Sequence, residues 1–561
     1  MSQITRREFL KKTSVLALAS GSGFLLKGCT KGKDFDWVIK GGRVIDGSGS
    51  PPRETDVGIK DGLIVEIGPI SARRARMVCE AREMFVCPGF IDVHDHTDVQ
   101  LLVDPKGESA VHQGITTLMS GNCGYSPFPI ADEIYEEFKL DLKEQYGLDL
   151  DWRDISGFLQ RLEKQGLALN YATLVGHGSI RGAAMGFDDR EPTAEELARM
   201  KVMVEEAMKN GAFGLSSGLE YTPGSYAKTG ELIELCRVVT QLSGVYATHM
   251  RDESDYLLEA LDESFQIARV SGVSIQISHL KVAYPSNWSK IDEALARLDQ
   301  AAEEGINVFA DRYPYLAAST GLGSIFPIWA MEGTTKDFLR RLQDKSLEQK
   351  FRDYLANEEK SLGSWDKVLV ASVVSEKNRI FEGMSILECC RRTGKDAFEF
   401  IRDLLVEERN RVGMIIFMMK EENLKKILAH PLVGVGCDGG AISPEGVLGK
   451  GKPHPRHYGT FPRVLGKYIR EEKILPWEEM ISKMTYRAAV KFGLSKRGLL
   501  KPGYQADVVV FNPETVIDRA TWTNPHQFPQ GIIHVFVNGM KVIEEEKHTG
   551  RLPGYVLRKR V

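Results

Sequence analysis

Through the middle of the chain, short apolar runs alternate with longer stretches of helical periodicity, and this alternation constrains the fold more than any other feature. Ile115 to Met119, Tyr171 to Val175, Val245 to Thr248, Val273 to Ser278, Ile306 to Ala310 and Val433 to Val435 read as strands. Helices are predicted between them. Thr193 and Glu196 form a capping-box pattern after Pro192, opening a helix to about Lys209. Another runs from about Ile291 to Glu304 and stops at Gly305. Strands separated by helices pair in parallel, so the fold class is α/β. About eight such units over some 400 residues fit a (β/α)8 TIM barrel with insertions. The barrel is expected over residues 88–490. The stretch from about 320 to 412 is longer than one unit needs, and an inserted subdomain near one mouth is expected there.

The flanks have a different texture. Trp37-Val38-Ile39 precedes Gly41-Gly42, Arg43-Val44-Ile45 precedes Asp46-Gly47, and Val57-Gly58-Ile59 leads through Asp61-Gly62 to Leu63-Ile64-Val65. Such Gly-containing pairs between apolar runs signal turns and hairpins. Asp507 to Phe511 and Ile533 to Val537, before Asn538-Gly539, read the same way. Residues 34–87 and 491–561 are therefore expected to pack together as one small β-sandwich.

Residues 1–30 read as an address rather than as fold. Thr5-Arg6-Arg7-Glu8-Phe9-Leu10-Lys11 precedes a short apolar stretch from Val15 to Leu26, broken by Ser20-Gly21-Ser22-Gly23. The pattern resembles a twin-arginine export signal. Leu26-Lys27-Gly28-Cys29 loosely resembles a lipoprotein processing site, although Lys27 departs from it. The expected product is periplasmic, or held at the membrane surface by lipid on Cys29. No later apolar run is long enough for a membrane span.

Composition narrows the function classes. The 561 residues carry 73 basic and 77 acidic side chains, a formal net charge of -4, with no long basic run. Nothing points to a nucleic-acid partner. Eight cysteines in this length are too sparse for a disulfide scaffold.

The chemistry-bearing residues gather at strand ends. Pro88-Gly89-Phe90-Ile91-Asp92-Val93 runs into His94-Asp95-His96, and strand alternation points both imidazoles the same way. Cys123 stands between small residues in Gly121-Asn122-Cys123-Gly124, where a thiolate can approach a metal. His249 ends one strand, His279 ends the next, and Asp438 lies in Gly436-Cys437-Asp438-Gly439 just past another. Each has an ordinary structural reading: a buried thiol, a hydrogen-bonded imidazole, a turn aspartate. Their coincidence at strand C-termini, where barrel active sites form, favours a metal centre. A Cys and His donor set suits zinc, and an aspartate beside metal-bound water can act as base.

These motifs resemble the N-acyl-D-amino-acid deacylases, or D-aminoacylases, of the amidohydrolase superfamily. The likeness continues through Gln113-Gly114-Ile115-Thr116-Thr117, Gly211 to Leu219, Ser278-His279-Leu280-Lys281, Tyr313-Pro314-Tyr315, His454-Pro455-Arg456 and Thr460 to Leu465, and covers nearly everything from Phe35 onward. The resemblance implies a distorted barrel beside a small β-sandwich, with an insertion over the mouth. It implies a tightly held zinc on Cys123, His249 and His279, and a second, often weakly occupied position on His94, His96 and Asp438. Asp438 would be the general base and then the proton donor. Lys281, Tyr313 and Arg456 would hold the substrate α-carboxylate, a role for which the guanidinium fork is suited. The implied substrate is an N-acyl-D-amino acid, or a dipeptide ending in a D-residue. His177, in Gly176-His177-Gly178, is a further rim candidate. Cys437 before Asp438 and the Ser216-Ser217 pair depart from the family pattern.

Two other readings are distinguishable. A cyclic amidase of the hydantoinase or dihydroorotase kind would bridge two metals with a modified lysine, and no lysine stands around Phe213 to Leu219. An exported binding protein on a dead scaffold would lack part of the ligand set, and here all of it is present.

Overall fold

The computed structural model describes residues 33–560. The export signal and Cys29 lie outside the described residues. Among those described, no helix is long and apolar enough to cross a membrane.

The molecule is a mixed α/β protein organised by two parallel sheets. In one, the strands Phe90–Asp92, Ile115–Ser120 and Asn170–Thr173 lie side by side. In the other the order is Val175–Gly176, Gly214–Gly218, Val245–His249, Ser274–Ile277, Val308–Arg312 and Val433–Val435. The sheets follow one another directly, since only Leu174 separates Thr173 from Val175, and its N–H donates to the Ser120 carbonyl at 2.9 Å. Their outer strands also meet. Asp95 bridges Gly439 in parallel, the His96 N–H donates to the Gly439 carbonyl at 2.6 Å, and the Asp438 N–H donates to the His94 carbonyl at 2.7 Å. All residues of Val245–His249, Val308–Arg312 and Val433–Val435 are buried, as expected of strands covered on both faces.

The covering helices follow the predicted signals. Ala194–Lys209 opens on the expected capping box: Thr193 Oγ1 accepts from the Glu196 N–H at 3.2 Å, and Glu196 Oε2 accepts from the Thr193 N–H at 2.8 Å. That closure satisfies two donors a helix start otherwise leaves orphaned. Its inner face buries Met200, Val204, Ala207 and Met208. The helix Ile291–Glu303 ends before Gly305, whose φ of 88° only glycine adopts cheaply.

Both chain ends enter one nine-stranded sheet. Phe85–Pro88 lies between Phe35–Val44, in parallel, and Val508–Phe511, antiparallel. The expected two-sheet sandwich is thus hydrogen-bonded as a single sheet. It curls until Trp37 and Phe536 meet edge to face at 5.4 Å, over a core that includes Val57, Ile59, Val86 and Val508. The Asp61-Gly62 hairpin forms, with φ of 50° and 78°. Gly41-Gly42 does not turn the chain. Phe35–Val44 is one strand whose register against Arg53–Lys60 slips between Ile39 and Gly42, a bulge. A Cβ on Gly42 would lie 2.5 Å from Val86, so close packing, not a reversal, requires glycine there.

Between Val308–Arg312 and Val433–Val435 a second unit intervenes. Ala317–Gly321 and Val368–Ser372 flank Gly413–Phe417 in an antiparallel sheet. Four helices, from Thr335–Leu342 to Ala397–Glu407, pack on a core that includes Phe326, Phe338, Phe351 and Trp365. Its boundary strands reach a few residues outside the predicted 320–412, because they pair with each other.

Candidate active site

The strand ends converge. His94 and His96 follow Phe90–Asp92, Cys123 follows Ile115–Ser120, His249 closes its strand, His279 follows Ser274–Ile277, and Asp438 follows Val433–Val435. Cys123, His279 and Asp438 hold positive φ values of 51°, 36° and 52°. Left-handed backbone at non-glycine residues costs about 1–3 kcal/mol each and persists where surrounding structure enforces it. Here it turns the three side chains toward one point.

Cys123 Sγ lies 3.3 Å from His94 Nε2 and 3.4 Å from His279 Nε2. Asp438 Oδ1 lies 3.1 Å from His96 Nε2 and 3.4 Å from His94 Nε2. The His249 and His279 rings are 4.5 Å apart. Donor atoms of His94, Cys123, His279 and Asp438 all fall within 4.8 Å of one another, as do those of His249, Glu253 and His279. All six predicted ligands are therefore in one cluster, where Cys123 of the first predicted set also touches His94 of the second.

The cluster carries buried negative charge. Burial opposes ionisation of Cys123, yet the His94 and His279 imidazoles hold its thiol well below the usual range. Burial likewise opposes ionisation of Asp438, but Arg456, His279 and His94 hold it well below an ordinary carboxylate. Burial would depress His96, but Asp438 and Cys123 push it up to about 10. A thiolate and a carboxylate among imidazoles, with His249 Nδ1 buried and without a hydrogen-bond partner, is a donor set that fits a divalent zinc-like ion.

Sequence reasoning missed the carboxylates behind the rings. Asp311 lies 3.3 Å from His94 Nδ1, and also accepts from Gln276 Nε2 at 2.7 Å and from the His279 N–H at 2.9 Å. Glu253 Oε1 is 2.9 Å from His279 Nδ1. Carboxylates at Nδ1 leave Nε2 free to bind a metal. Asp311 had a usable signal, since it sits near the end of an apolar strand like the ligands themselves. Glu220, 3.1 Å from His249 Nε2, follows the strand Gly214–Gly218.

The predicted carboxylate-binding residues share one wall. Lys281, Tyr313 and Arg456 line a cavity of about 1000 Å³ together with Cys123, His249 and Asp438. Lys281 Nζ pairs with Glu253. Arg456 Nη1 donates to Asp438 Oδ2 at 2.7 Å, and its guanidinium lies 4.9 Å from the Tyr313 ring. The Tyr313 hydroxyl is fully buried and has no partner. His177 does not reach this wall. It opens the helix His177–Met185 and turns its Nε2 onto Glu231 at 2.7 Å, a buried pair behind the cavity.

Imidazoles, a thiolate and a carboxylate at the ends of parallel strands, beside a cavity with cationic groups, are the makings of a metal-dependent hydrolase. Comparison with known proteins gives the family. A model of the amidohydrolase family matches residues 448–543. D-aminoacylase of Alcaligenes xylosoxydans xylosoxydans is 37% identical over 523 residues, 93% of this chain and 97% of that protein. N-acyl-D-aspartate deacylase of the same organism is 34% identical over 534 residues, 93% of this chain and 95% of that protein. The structure of N-acyl-D-glutamate deacylase from Bordetella bronchiseptica, complexed with zinc and a phosphonate inhibitor, matches with a TM-score of 0.80 at 35% identity, covering 93% of this chain and 99% of that one. The chain belongs to the D-aminoacylase family of amidohydrolases.

Proposed function

We propose that the protein hydrolyses the amide bond of N-acyl-D-amino acids, or of dipeptides ending in a D-residue, releasing a carboxylate and a free D-amino acid. The observation that carries this reading is the position of Asp438. It touches the His94 and His96 imidazoles through one oxygen and the Arg456 guanidinium through the other. It therefore stands between the metal cluster and the wall that would hold a substrate carboxylate.

Cys123, His249 and His279 would hold a zinc ion, and His94, His96 and Asp438 a second, weaker one. When bound, the metal polarises the acyl carbonyl and lowers the pKa of water toward about 7. Asp438 Oδ1 accepts the proton of the attacking water, then delivers it to the amide nitrogen as the C–N bond breaks. Arg456 and Lys281 attract the α-carboxylate, and the Tyr313 hydroxyl donates to it. Fixing the carboxylate at one end and the scissile carbonyl at the other leaves the side chain one direction, which selects the hand of the α-carbon. Asp311 and Glu253 keep His94 and His279 oriented.

The finer architecture supports the same reading. Contact between the outer strands at Asp95–Gly439 favours a distorted (β/α)8 barrel over residues 88–490. The curled sheet of residues 34–87 and 491–561 would be its small β-domain. Residues 1–30 would direct export by the twin-arginine route to the periplasm or, through Cys29, to a membrane surface.

The test is release of free amino acid from paired N-acetyl-D and N-acetyl-L compounds by zinc-loaded protein, with hydantoins alongside. Release from D compounds is expected. Turnover of L compounds alone, or ring opening of hydantoins alone, would overturn the reading.

A further inference from the structure

The same cavity carries a second charged end, to which the hydrolytic steps assign no proton transfer. The cations lining the cavity pair elsewhere: Lys281 with Glu253 and Arg456 with Asp438 at the metal end, and Arg251 with Glu263. Asp252 and Asp255, which accept from the Ser254 N–H and from Asn287, line it, and so do two more carboxylates, Glu220 and Glu358. Among the described residues no lysine or arginine is paired with either. Glu220 follows the strand Gly214–Gly218, is exposed, and lies 3.1 Å from Nε2 of the candidate ligand His249. Glu358 comes from the inserted helix Glu348–Leu362 and accepts from the Tyr284 hydroxyl at 3.3 Å.

Both carboxylates line the cavity together with Tyr284 and Tyr354. Burial raises Tyr354, to about 12, and Glu358 and Glu220 add to the rise; Tyr284 is raised by burial and by the same two carboxylates. Burial, and Asp255 nearby, push Glu358 itself above its ordinary value. Like charges gathered on a tyrosine-lined wall, Glu358 half-buried and Glu220 exposed, are relieved by a cation. Ile325, Ile328, Met331, Met414 and Met418 supply apolar wall in the same cavity, suited to an aliphatic stem that carries its charge at the tip. A second feature shows that this cavity is built for a ligand: at the metal end, the Tyr313 hydroxyl is fully buried, lines the cavity and has no partner.

We infer that the Glu220 and Glu358 end receives a cationic side chain, an ammonium or guanidinium on an aliphatic stem, so that the preferred substrates are N-acyl derivatives of basic D-amino acids. This rests on the deacylase reading and adds the substrate class. Relatives named for aspartate and for glutamate derivatives resemble this chain at 34% and 35% identity, so overall identity does not choose the side chain. The cavity charge does. An acidic side chain would meet two carboxylates that no lysine or arginine balances.

The experiment measures kcat/KM of the metal-loaded full chain on N-acetyl-D-lysine, N-acetyl-D-arginine, N-acetyl-D-norleucine and N-acetyl-D-glutamate. A basic substrate should exceed norleucine by at least about tenfold and glutamate by at least about 100-fold, the scale of a matched against a mismatched charge in a partly desolvated site. Glu358→Gln should lower the lysine-to-norleucine ratio about tenfold. Because it is a ratio on one preparation, loss of folded protein cancels. Norleucine or glutamate turned over as well as lysine, or a ratio unmoved by Glu358→Gln, overturns the inference while leaving the deacylase reading intact. Absence of release from every N-acyl-D compound overturns both.

Discussion

Replacing Asp438 with asparagine keeps the shape of the side chain and removes its charge. Two proton transfers are assigned to this group, and a positioned acid or base contributes about 10²- to 10⁴-fold. The variant should therefore lose at least about 10³-fold in kcat, which is about 4 kcal/mol at 1.36 kcal/mol per decade. The structure also sets a cost in stability. Arg456 is 4% exposed and Asp438 is its ion-pair partner. Breaking a buried pair from one side costs up to about 3–5 kcal/mol, reduced here because the asparagine carbonyl can still accept from Nη1. Turnover, urea midpoint and bound metal must then be read on the same sample. The expected result is nearly complete loss of D-amino-acid release, a lowered midpoint and retained metal, since Cys123, His249 and His279 are untouched. More than a tenth of wild-type turnover, with metal retained, would refute the assignment of the base to Asp438.

Cys123→Ser exchanges a thiolate for a harder, neutral donor and should weaken metal retention against a chelator by about 100-fold or more; retention equal to wild type would remove the thiol from the site. Gly124→Ala would place a Cβ 2.6 Å from the Gly218 backbone nitrogen at a φ of +76°, displacing the Cys123 turn at a cost of roughly 1–3 kcal/mol; an unchanged urea midpoint and full metal content would show that the turn is not so constrained. Lys483 is buried, with Nζ donating to the His430 carbonyl at 2.8 Å. Burial lowers its pKa from 10.5 to about 7. Between those values the unfolded chain binds a proton that the fold does not, so this residue makes stability rise with pH across that window and adds no slope below it. Lys483→Met should remove roughly 2–3 kcal/mol of the rise between pH 7 and about 9.5; urea midpoints with identical slopes in both proteins would contradict this.

What could be read from the chain was what local chemistry restricts. The candidate ligands were legible because few side chains suit a borderline metal, and the runs before them were legible because strands covered on both faces must be apolar. The Thr193 capping box and the Asp61-Gly62 turn were legible because each is decided within a few residues. Gly41-Gly42 was not, because its partner strand sets the register, and nothing within Gly176-His177-Gly178 shows that Glu231 waits 54 residues away. Asp311 stands near the end of an apolar strand as the candidate ligands do, but that it supports His94, 217 residues away, only the fold shows. The same reasoning separates reaction from specificity. The reaction depends on strand ends that one repeating pattern brings together, so a linear reading finds it. The Glu220 and Glu358 end is assembled from the turn after a strand of the parallel sheet and a helix of the inserted unit, which share no pattern and meet at the cavity. Substitutions on that inserted helix can therefore change which side chain is accepted without touching a group that holds metal or moves a proton.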